Sequence, residues 1–194
     1  MTTPLSEDQV RELRIGDVVY LTGSRVYIIT TSAAQYLFDS IEKKKPFFDL
    51  NGSVIYHSSL SLTHEDKIRW VGATTSIMCE PETPRLIELG SKAIMGKGGM
   101  GRATLDSMRR NGAVYLATVG GTSALLARGV SKLLKIVDTP VPMSEIEVKD
   151  FGPTIVGMDS HGRSIYDDVW ENARRKAAEL AGANGKARLY GRFY

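Results

Sequence analysis

The sequence predicts an α/β fold, formed as a single compact domain with a mixed sheet and flanking helices. Three observations support this prediction. The first part of the chain is rich in the β-branched and aromatic runs that are typical of strands. The second part alternates between short apolar strands and helical segments. The length of 194 residues is enough for one ordinary domain with a substantial core.

The first part is predicted to hold several strands and one helix. A helix is expected from Ala33 to Lys45, because Ser32 can cap its start and Pro46 stops it. The pair Asn51-Gly52 is a turn signal. The strands are expected at residues 18–22, 26–31, 54–56 and 67–71.

The second part is predicted to alternate helices with strands. Thr83 and Pro84 open a helix, since proline is tolerated at the first helical position, and Gly90 is well placed to end it. Pro140 and Pro142 mark a connection. The helices are expected near residues 83–90, 105–110, 122–127 and 167–181, and the strands at residues 93–95, 114–119, 133–137 and 155–156.

Composition predicts a soluble, cytoplasmic protein. Hydrophobic residues make up 42% of the chain and charged residues 24%, close to the globular average, and no apolar run approaches the roughly 20 residues that span a bilayer. The polar, acidic N-terminus does not resemble a signal peptide. The net charge is only +3, and no recognised nucleic-acid-binding motif accompanies the basic clusters at Lys43–Lys45 and after Trp170. We therefore expect solvated surfaces there and no binding of nucleic acid.

The chain is not expected to hold a metal by itself. Its single cysteine, Cys79, rules out an internal disulfide and a self-contained iron–sulfur or Cys-rich zinc site. The three histidines, His57, His64 and His161, show no metal-ligand spacing. Cys79 is expected to be a small buried hydrophobe, and His161 to belong to a β-turn, Asp159–Gly162.

A glycine-rich loop follows the predicted strand at residues 93–95. Gly96, Gly98 and Gly101 match the dinucleotide pattern G-x-G-x-x-G. However, no acidic residue for a ribose stands about 20 positions on, and Lys97 is followed by glycine rather than the Ser or Thr of a Walker A loop. The loop either permits a tight turn or binds a small carboxylate or phosphate through Lys97 and backbone amides, and the second interpretation is favoured.

The segment GATTSIMCEPETPRLIELGSKAIMGKGGMG, Gly72 to Gly101, resembles the β subunit of class I, iron–sulfur-dependent fumarase and L-tartrate dehydratase. That family has a G-P-T-T-S-x-R-M block, a T-P-x-L-x-x-x-G helix and a G-K-G loop. Four more segments resemble it in the same order: LRIGDVVYLTG, PFFDLNGSVIYH, VGGTSALLA and VKDFGPTIVGMDSHGRSIYDD. The resemblance covers nearly the whole chain.

The resemblance implies a swivelling β/β/α domain over residues 1–194, with a C-terminal helix and basic tail at about 167–194. It also implies an α subunit carrying a [4Fe–4S] cluster on three cysteines, with an open iron position, and an assembly that is a homo- or hetero-oligomer. The implied reaction is reversible removal of water from a fumarate/malate- or tartrate-like 2-hydroxy acid.

The site residues follow from the same resemblance. Thr74 falls on the threonine assigned near the proton-transfer step, and Lys97 on the lysine that contacts a substrate carboxylate. Thr75, Gly96 and Gly98 are the further substrate-binding positions. Dehydration beside a carboxylate needs a base, cations for the dianion and a metal for the leaving hydroxyl, so these residues would supply only part of the chemistry.

Three positions depart from the family's pattern. Met78 stands where the family has an arginine that clamps a carboxylate, and Thr31 and Gln35 stand where an A-R-D-A-A-H stretch has arginine and histidine. A buried bidentate arginine contact contributes about a few kcal/mol, so losing two weakens binding of a four-carbon dianion. Arg25 and Arg102 are candidate replacements.

Three interpretations therefore remain open. The chain is the β subunit of a hydro-lyase with an altered substrate, or a related binding and assembly module without catalysis, or an unrelated anion- or nucleotide-binding enzyme.

Overall fold

The computed structural model describes residues 1–63 and 68–184, with side chains as far as residue 180. His64, the start of the strand predicted at 67–71 and the basic tail at 185–194 lie outside the described residues. The strands are β1 (Thr2–Thr3), β2 (Val18–Ile28), β3 (Val54–Tyr56), β4 (Ser58–Leu62), β5 (Ile68–Ala73), β6 (Ala93–Gly96), β7 (Val114–Ala117), β8 (Val130–Val137) and β9 (Met143–Met158). The helices are α1 (Glu7–Glu12), α2 (Thr31–Glu42), α3 (Thr83–Glu88), α4 (Arg102–Asn111), α5 (Ser123–Ala127) and α6 (Ile165–Asn184), with a 3-10 helix at Ser76–Cys79.

The main sheet is mixed and closes on itself. Its order is β1-β2-β3-β6-β7-β9-β8, with β2, β3, β6 and β7 parallel to one another. The long strand β9 runs antiparallel to β7 and β8 and also pairs with β2, so that β2, β3, β6, β7 and β9 form a closed ring. β4 and β5 form a separate antiparallel pair. The prediction of a mixed α/β fold with a mixed sheet is confirmed.

Two buried clusters lie on the two faces of this sheet, as strand alternation requires. On β3, Val54 and Tyr56 belong to a cluster made mainly of strand residues, whereas Ile55 belongs to a cluster shared with α2, α3 and α4. The same alternation separates Ile94 of β6 from its neighbour Met95. Both faces are therefore apolar, which explains the short continuous apolar runs in these strands.

The parallel strands end at one edge of the sheet, and this edge positions the polar side chains of interest. Thr30 follows β2, His57 follows β3, Lys97 follows β6 and Thr118 follows β7. Carboxyl ends of parallel strands are the usual location of ligand sites in α/β folds. This edge is therefore the place to look for a site.

Several elements differ from the sequence prediction. β9 has 16 residues, whereas only residues 155–156 were expected, because Gly152 and Pro153 interrupt its pattern and its pairing with β2 contains register shifts. α2 begins at Thr31, with Thr30 rather than Ser32 at the N-cap position. β1, α1 and β4 were not predicted.

Within the described part of the chain, no helix is long and apolar enough to cross a membrane.

Candidate carboxylate-binding site

The T-T block and the glycine loop meet through backbone pairing. Thr75 and Lys97 form a parallel bridge beyond the end of β6. The Ser76 N–H donates to the Lys97 carbonyl at 2.9 Å, and the Lys97 N–H donates to the Thr74 carbonyl at 3.4 Å. The structure thus brings Thr74, Thr75 and Lys97 together, although at least 20 residues separate the two segments in the sequence.

Neighbouring strand ends hold these two segments on either side. The Thr74 N–H donates to the carbonyl of His57, which follows β3, at 2.7 Å. The backbone N–H of Thr118, which follows β7, donates to the Gly96 carbonyl at 2.7 Å, and its hydroxyl donates to the same carbonyl at 3.0 Å. The site is therefore an extension of the sheet edge, held by backbone hydrogen bonds that leave the Thr74 side chain out of the pairing.

Lys97 is the cation at this edge. Its side chain is partly exposed and runs past the second glycine turn, where a Cβ on Gly120 would lie 3.8 Å from the Lys97 Cδ. Among the residues that the structure describes, no carboxylate forms an ion pair with Lys97. Within the described part of the chain, the Lys97 ammonium group is therefore available to pair with a small carboxylate.

The glycines of the loop are needed for two different reasons. A Cβ on Gly96 would lie 2.0 Å from the Ser76 Oγ, so this position has no room for a side chain. Gly98 and Gly99 have φ values of +85° and +78°, a region that other residues rarely adopt. Gly98 is exposed, so its backbone is accessible to a ligand.

The N-terminus of α4 is already occupied by a carboxylate of the protein. Glu80 accepts hydrogen bonds from the Gly101 N–H at 2.7 Å, the Thr104 N–H at 3.0 Å and the Thr104 hydroxyl at 2.7 Å. The expectation that backbone amides of the glycine loop bind an external anion is thus wrong for the N–H groups of Gly101 and Thr104, because Glu80 already accepts from them. A substrate carboxylate is left with Lys97 and the backbone around Gly98.

The positions that depart from the family's pattern lie side by side. The Thr31 hydroxyl lies 3.0 Å from the Met78 carbonyl and 3.0 Å from the Cys79 sulfur. The Met78 side chain is 66% exposed. Gln35 is one turn further along α2 and bonds to Asp39 of the same helix at 2.8 Å. The side chains at these three positions are therefore uncharged, although the Asp39 carboxylate lies beside Gln35.

The two candidate replacement arginines differ in location. Arg25 donates to the Asn51 carbonyl at 2.8 Å and pairs with Asp49 at 2.9 Å, both before the start of β3. It lies at the opposite edge of the sheet from Lys97, so it is not a replacement. Arg102 is the first residue of α4, directly after the glycine loop, and pairs with Asp106 at 3.2 Å.

A cavity of about 540 Å³ adjoins the glycine loop. Gly98 and Arg102 line it, together with apolar side chains that include Ile77, Leu105 and Met158. Ile77 belongs to the 3-10 helix that follows the T-T block. The cavity therefore touches both halves of the site and presents a mainly apolar wall to them.

Two buried polar side chains, Tyr115 and His57, lie next to the site, and the sequence did not predict their contacts. The Tyr115 hydroxyl donates to the Ser76 Oγ at 3.0 Å and accepts from the Gly99 N–H at 3.4 Å. His57 is 1% exposed, and its Nε2 lies 3.4 Å from the Thr83 hydroxyl. Burial lowers the pKa of His57 to about 4, so His57 is neutral at pH 7. Their partners are distant in sequence, so no local pattern could reveal them.

Two further expectations are confirmed. Asp159 accepts from the N–H groups of His161 at 3.0 Å and Arg163 at 3.1 Å, so the Asp159–Gly162 segment is a turn. Cys79 is 3% exposed, and burial raises the pKa of its thiol.

Within the described residues, no group of three or more His, Cys, Asp or Glu side chains could hold a metal ion.

We predict that Gly96→Ala destabilises the chain by about 1–3 kcal/mol, because the new methyl group must displace the Ser76 hydroxyl. In the double variant with Ser76→Ala, the contacts at Gly96 relax to 3.4 Å or more. The double variant should therefore be more stable than the sum of the single changes by about 1 kcal/mol, measured by urea unfolding. Gly120→Ala, where the nearest atom is 3.8 Å away, is the matched control. Strict additivity would contradict the prediction.

We predict that neutral, buried His57 makes stability depend on pH. Its pKa is about 4 in the folded chain and 6.5 ordinarily, so its contribution is complete above pH 6.5 and is lost as the pH falls toward 4. The loss can reach a few kcal/mol. Unfolding free energies between pH 7 and 4 should therefore fall less steeply for His57→Gln than for the wild type. His161→Gln, at an exposed histidine, should follow the wild type; parallel curves for all three proteins would show that the assignment is wrong.

Comparison with known protein families agrees with this architecture. Residues 1–169 match the family model described as the fumarase C-terminus. The match covers the sheet, the T-T block, the glycine loop and the start of α6.

Individual relatives cover most of the chain. "Putative L(+)-tartrate dehydratase subunit beta" of Methanocaldococcus jannaschii is 37% identical over an alignment of 189 residues, and the alignment covers 92% of this chain and 96% of that protein. L(+)-tartrate dehydratase subunit beta of Escherichia coli strain K12 is 33% identical over an alignment of 175 residues that covers 85% of each chain. "Putative fumarate hydratase class I" of Geobacillus stearothermophilus is 34% identical over 93% of this chain, which spans only 36% of that protein. The chain therefore belongs to the fumarase C-terminus family.

Proposed function

We propose that this chain is the β subunit of an iron–sulfur-dependent hydro-lyase, which adds water to, or removes it from, a fumarate/malate- or tartrate-like 2-hydroxy acid. The site would be shared with an α subunit. The observation that carries the proposal is the backbone pairing of Thr75 with Lys97, which joins the T-T block to the glycine loop at the carboxyl edge of the parallel strands. Among the described residues, no carboxylate pairs with Lys97.

The relatives support both the reaction class and the need for a partner. Two of them are named as β subunits of L(+)-tartrate dehydratase, a name that implies a second subunit. The chain corresponds to only 36% of the class I fumarate hydratase relative, so in our proposal a separate α subunit supplies the remainder. The names do not favour a non-catalytic module.

The finer structural and cellular assignments belong to the same proposal. The closed mixed sheet with helices on its outer face supports a swivelling β/β/α domain formed by residues 1–194. A cytoplasmic location belongs to the same proposal and is supported by the names of the relatives, a tartrate dehydratase subunit and a fumarate hydratase.

The described residues of this chain do not fit an iron–sulfur cluster. They offer no group of three or more candidate ligands, and Cys79 is buried against the Thr31 hydroxyl. A [4Fe–4S] cluster needs several thiolates. We therefore propose that the α subunit carries the cluster.

The residues of this chain bind and orient the acid. Lys97 would pair with a substrate carboxylate, with the Thr75 hydroxyl and the exposed backbone of Gly98 beside it. Packing of Gly96 against Ser76 would fix the position of the glycine loop relative to the T-T block. Thr74 would lie nearest to the proton that is transferred. A threonine hydroxyl is a weak base, so groups of the α subunit would have to activate it.

The neutral wall formed by Thr31 and Met78 supports an altered substrate. Arg25 does not replace the family's arginines at that place, since it lies at the other edge of the sheet. Arg102, at the mouth of the apolar cavity, is the nearest further cation along the glycine loop. We therefore propose an acid with fewer or differently placed carboxylates than malate.

The proposal is tested by anaerobic co-expression with the α subunit, cluster reconstitution and assays on fumarate, mesaconate and tartrate. We expect hydro-lyase activity on at least one acid. Lys97→Met keeps the length of the side chain but removes its charge, so kcat/KM should fall about 10- to 100-fold. Lys149→Met, at an exposed position of β9, is the control. A reconstituted complex that is inactive on every such acid would show that the proposal is wrong.

A separate prediction concerns Thr74. Thr74→Val keeps the shape of the side chain and removes the hydroxyl, so kcat should fall by about 10²- to 10⁴-fold if that hydroxyl takes part in proton transfer. KM should change little, because Lys97 still binds the carboxylate. Thr2→Val, at an exposed position of β1, is the control. An unchanged kcat would restrict Thr74 to a structural role.

A further inference from the structure

The Glu80 side chain connects the T-T block to the glycine loop, in addition to the backbone pairing of Thr75 with Lys97. It directly follows the 3-10 helix Ser76–Cys79, and its carboxylate accepts three hydrogen bonds of 2.7, 3.0 and 2.7 Å from Gly101 and Thr104. α4 has glycine at its N-cap position and receives no hydrogen bond from a cap side chain there. Glu80 therefore caps α4 from 21 residues away in the sequence.

These contacts hold the end of the glycine loop. The beginning of the loop is held by the pairing of Lys97 with Thr75. Between these two attachments, Gly98 and Gly99 have positive φ values, and glycine loses more conformational freedom on ordering than any other residue. The hydrogen bond from the Gly99 N–H to the Tyr115 hydroxyl holds the middle of the loop. At the α4 end, the attachment is the Glu80 carboxylate.

We infer that Glu80 is a positioning residue, which holds Lys97 and Gly98 at their place beside Thr74 by fixing the glycine loop to the T-T block. It acts through Lys97 and does not touch the substrate. The kinetic part of this inference rests on the proposed function. The structural part, that the Glu80 carboxylate orders the loop, does not.

The site of the carboxylate is accessible to a small molecule. Gly101 lines the cavity of about 540 Å³ beside the loop, and a Cβ on Gly101 would lie 2.7 Å from the Glu80 Oε1. In Glu80→Ala the missing atoms are one methylene carbon and the carboxylate. Acetate has the same carboxylate on one carbon, so it can return the lost acceptors to the amides of α4.

The kinetic test uses the reconstituted complex. Glu80→Ala should raise KM for the acid about tenfold with a smaller change in kcat, because misplacing Lys97 weakens binding of substrate and transition state alike. Acetate should lower KM of this variant toward the wild-type value, whereas acetamide, which has no charge, should not. The wild-type enzyme, assayed at the same acetate concentration, shows how far acetate competes with the substrate at the active site. Glu42→Ala, which removes the exposed partner of Arg85, is the matched control.

A second measurement does not depend on activity. Hydrogen exchange of the segment 94–104 should be faster in Glu80→Ala than in the wild type and should slow again with acetate, while Glu42→Ala stays at the wild-type rate. Unchanged exchange in Glu80→Ala overturns the inference even if no hydro-lyase activity is found. Faster exchange with unchanged KM in an active complex overturns it too, since Glu80 would then only cap α4.

Discussion

The pairing of Thr75 with Lys97 is the contact on which the rest of the site depends. β6 ends at Gly96, and two backbone hydrogen bonds, from Ser76 to Lys97 and from Lys97 to Thr74, add the T-T block to that end of the sheet. Backbone pairing uses no side chain. The side chains of these residues are thus not used in the pairing, while the sheet fixes the backbone positions from which they extend.

Close packing beneath this pairing explains the composition of the loop. Gly96 has no space for a methyl group because Ser76 lies against it, and Ser76 is in turn bonded to the buried Tyr115 hydroxyl. Tyr115 also accepts from the Gly99 N–H, so one phenol orders both segments. Within the dinucleotide-like pattern, glycine is thus needed at position 96 because a side chain would clash with Ser76, and at position 98 because φ is positive. Neither origin involves a nucleotide.

The sequence predicted the parts of the fold that local patterns encode. Strands such as Val54–Tyr56 and Ala93–Gly96 are short apolar runs between turn signals, and they were found close to their expected bounds. Most of β9 was missed because Gly152 and Pro153 resemble a turn, yet a strand with register shifts accommodates them. Of the site, Thr74 and Lys97 were predicted through the family resemblance. Glu80 and Tyr115 could not be, because their hydrogen-bond partners are set by the tertiary fold.

The departures from the family's pattern concern one place in the fold. Thr31 begins α2 and Met78 lies in the 3-10 helix, 47 residues later, yet the Thr31 hydroxyl bonds to the Met78 carbonyl. Two scattered losses of charge would suggest decay of a site, but two neighbouring neutral residues suggest one altered wall. The glycine loop, by contrast, keeps Lys97 and the glycine at position 96 that close packing against Ser76 requires. This contrast supports a site that still binds an acid but contacts its remaining part without paired arginines.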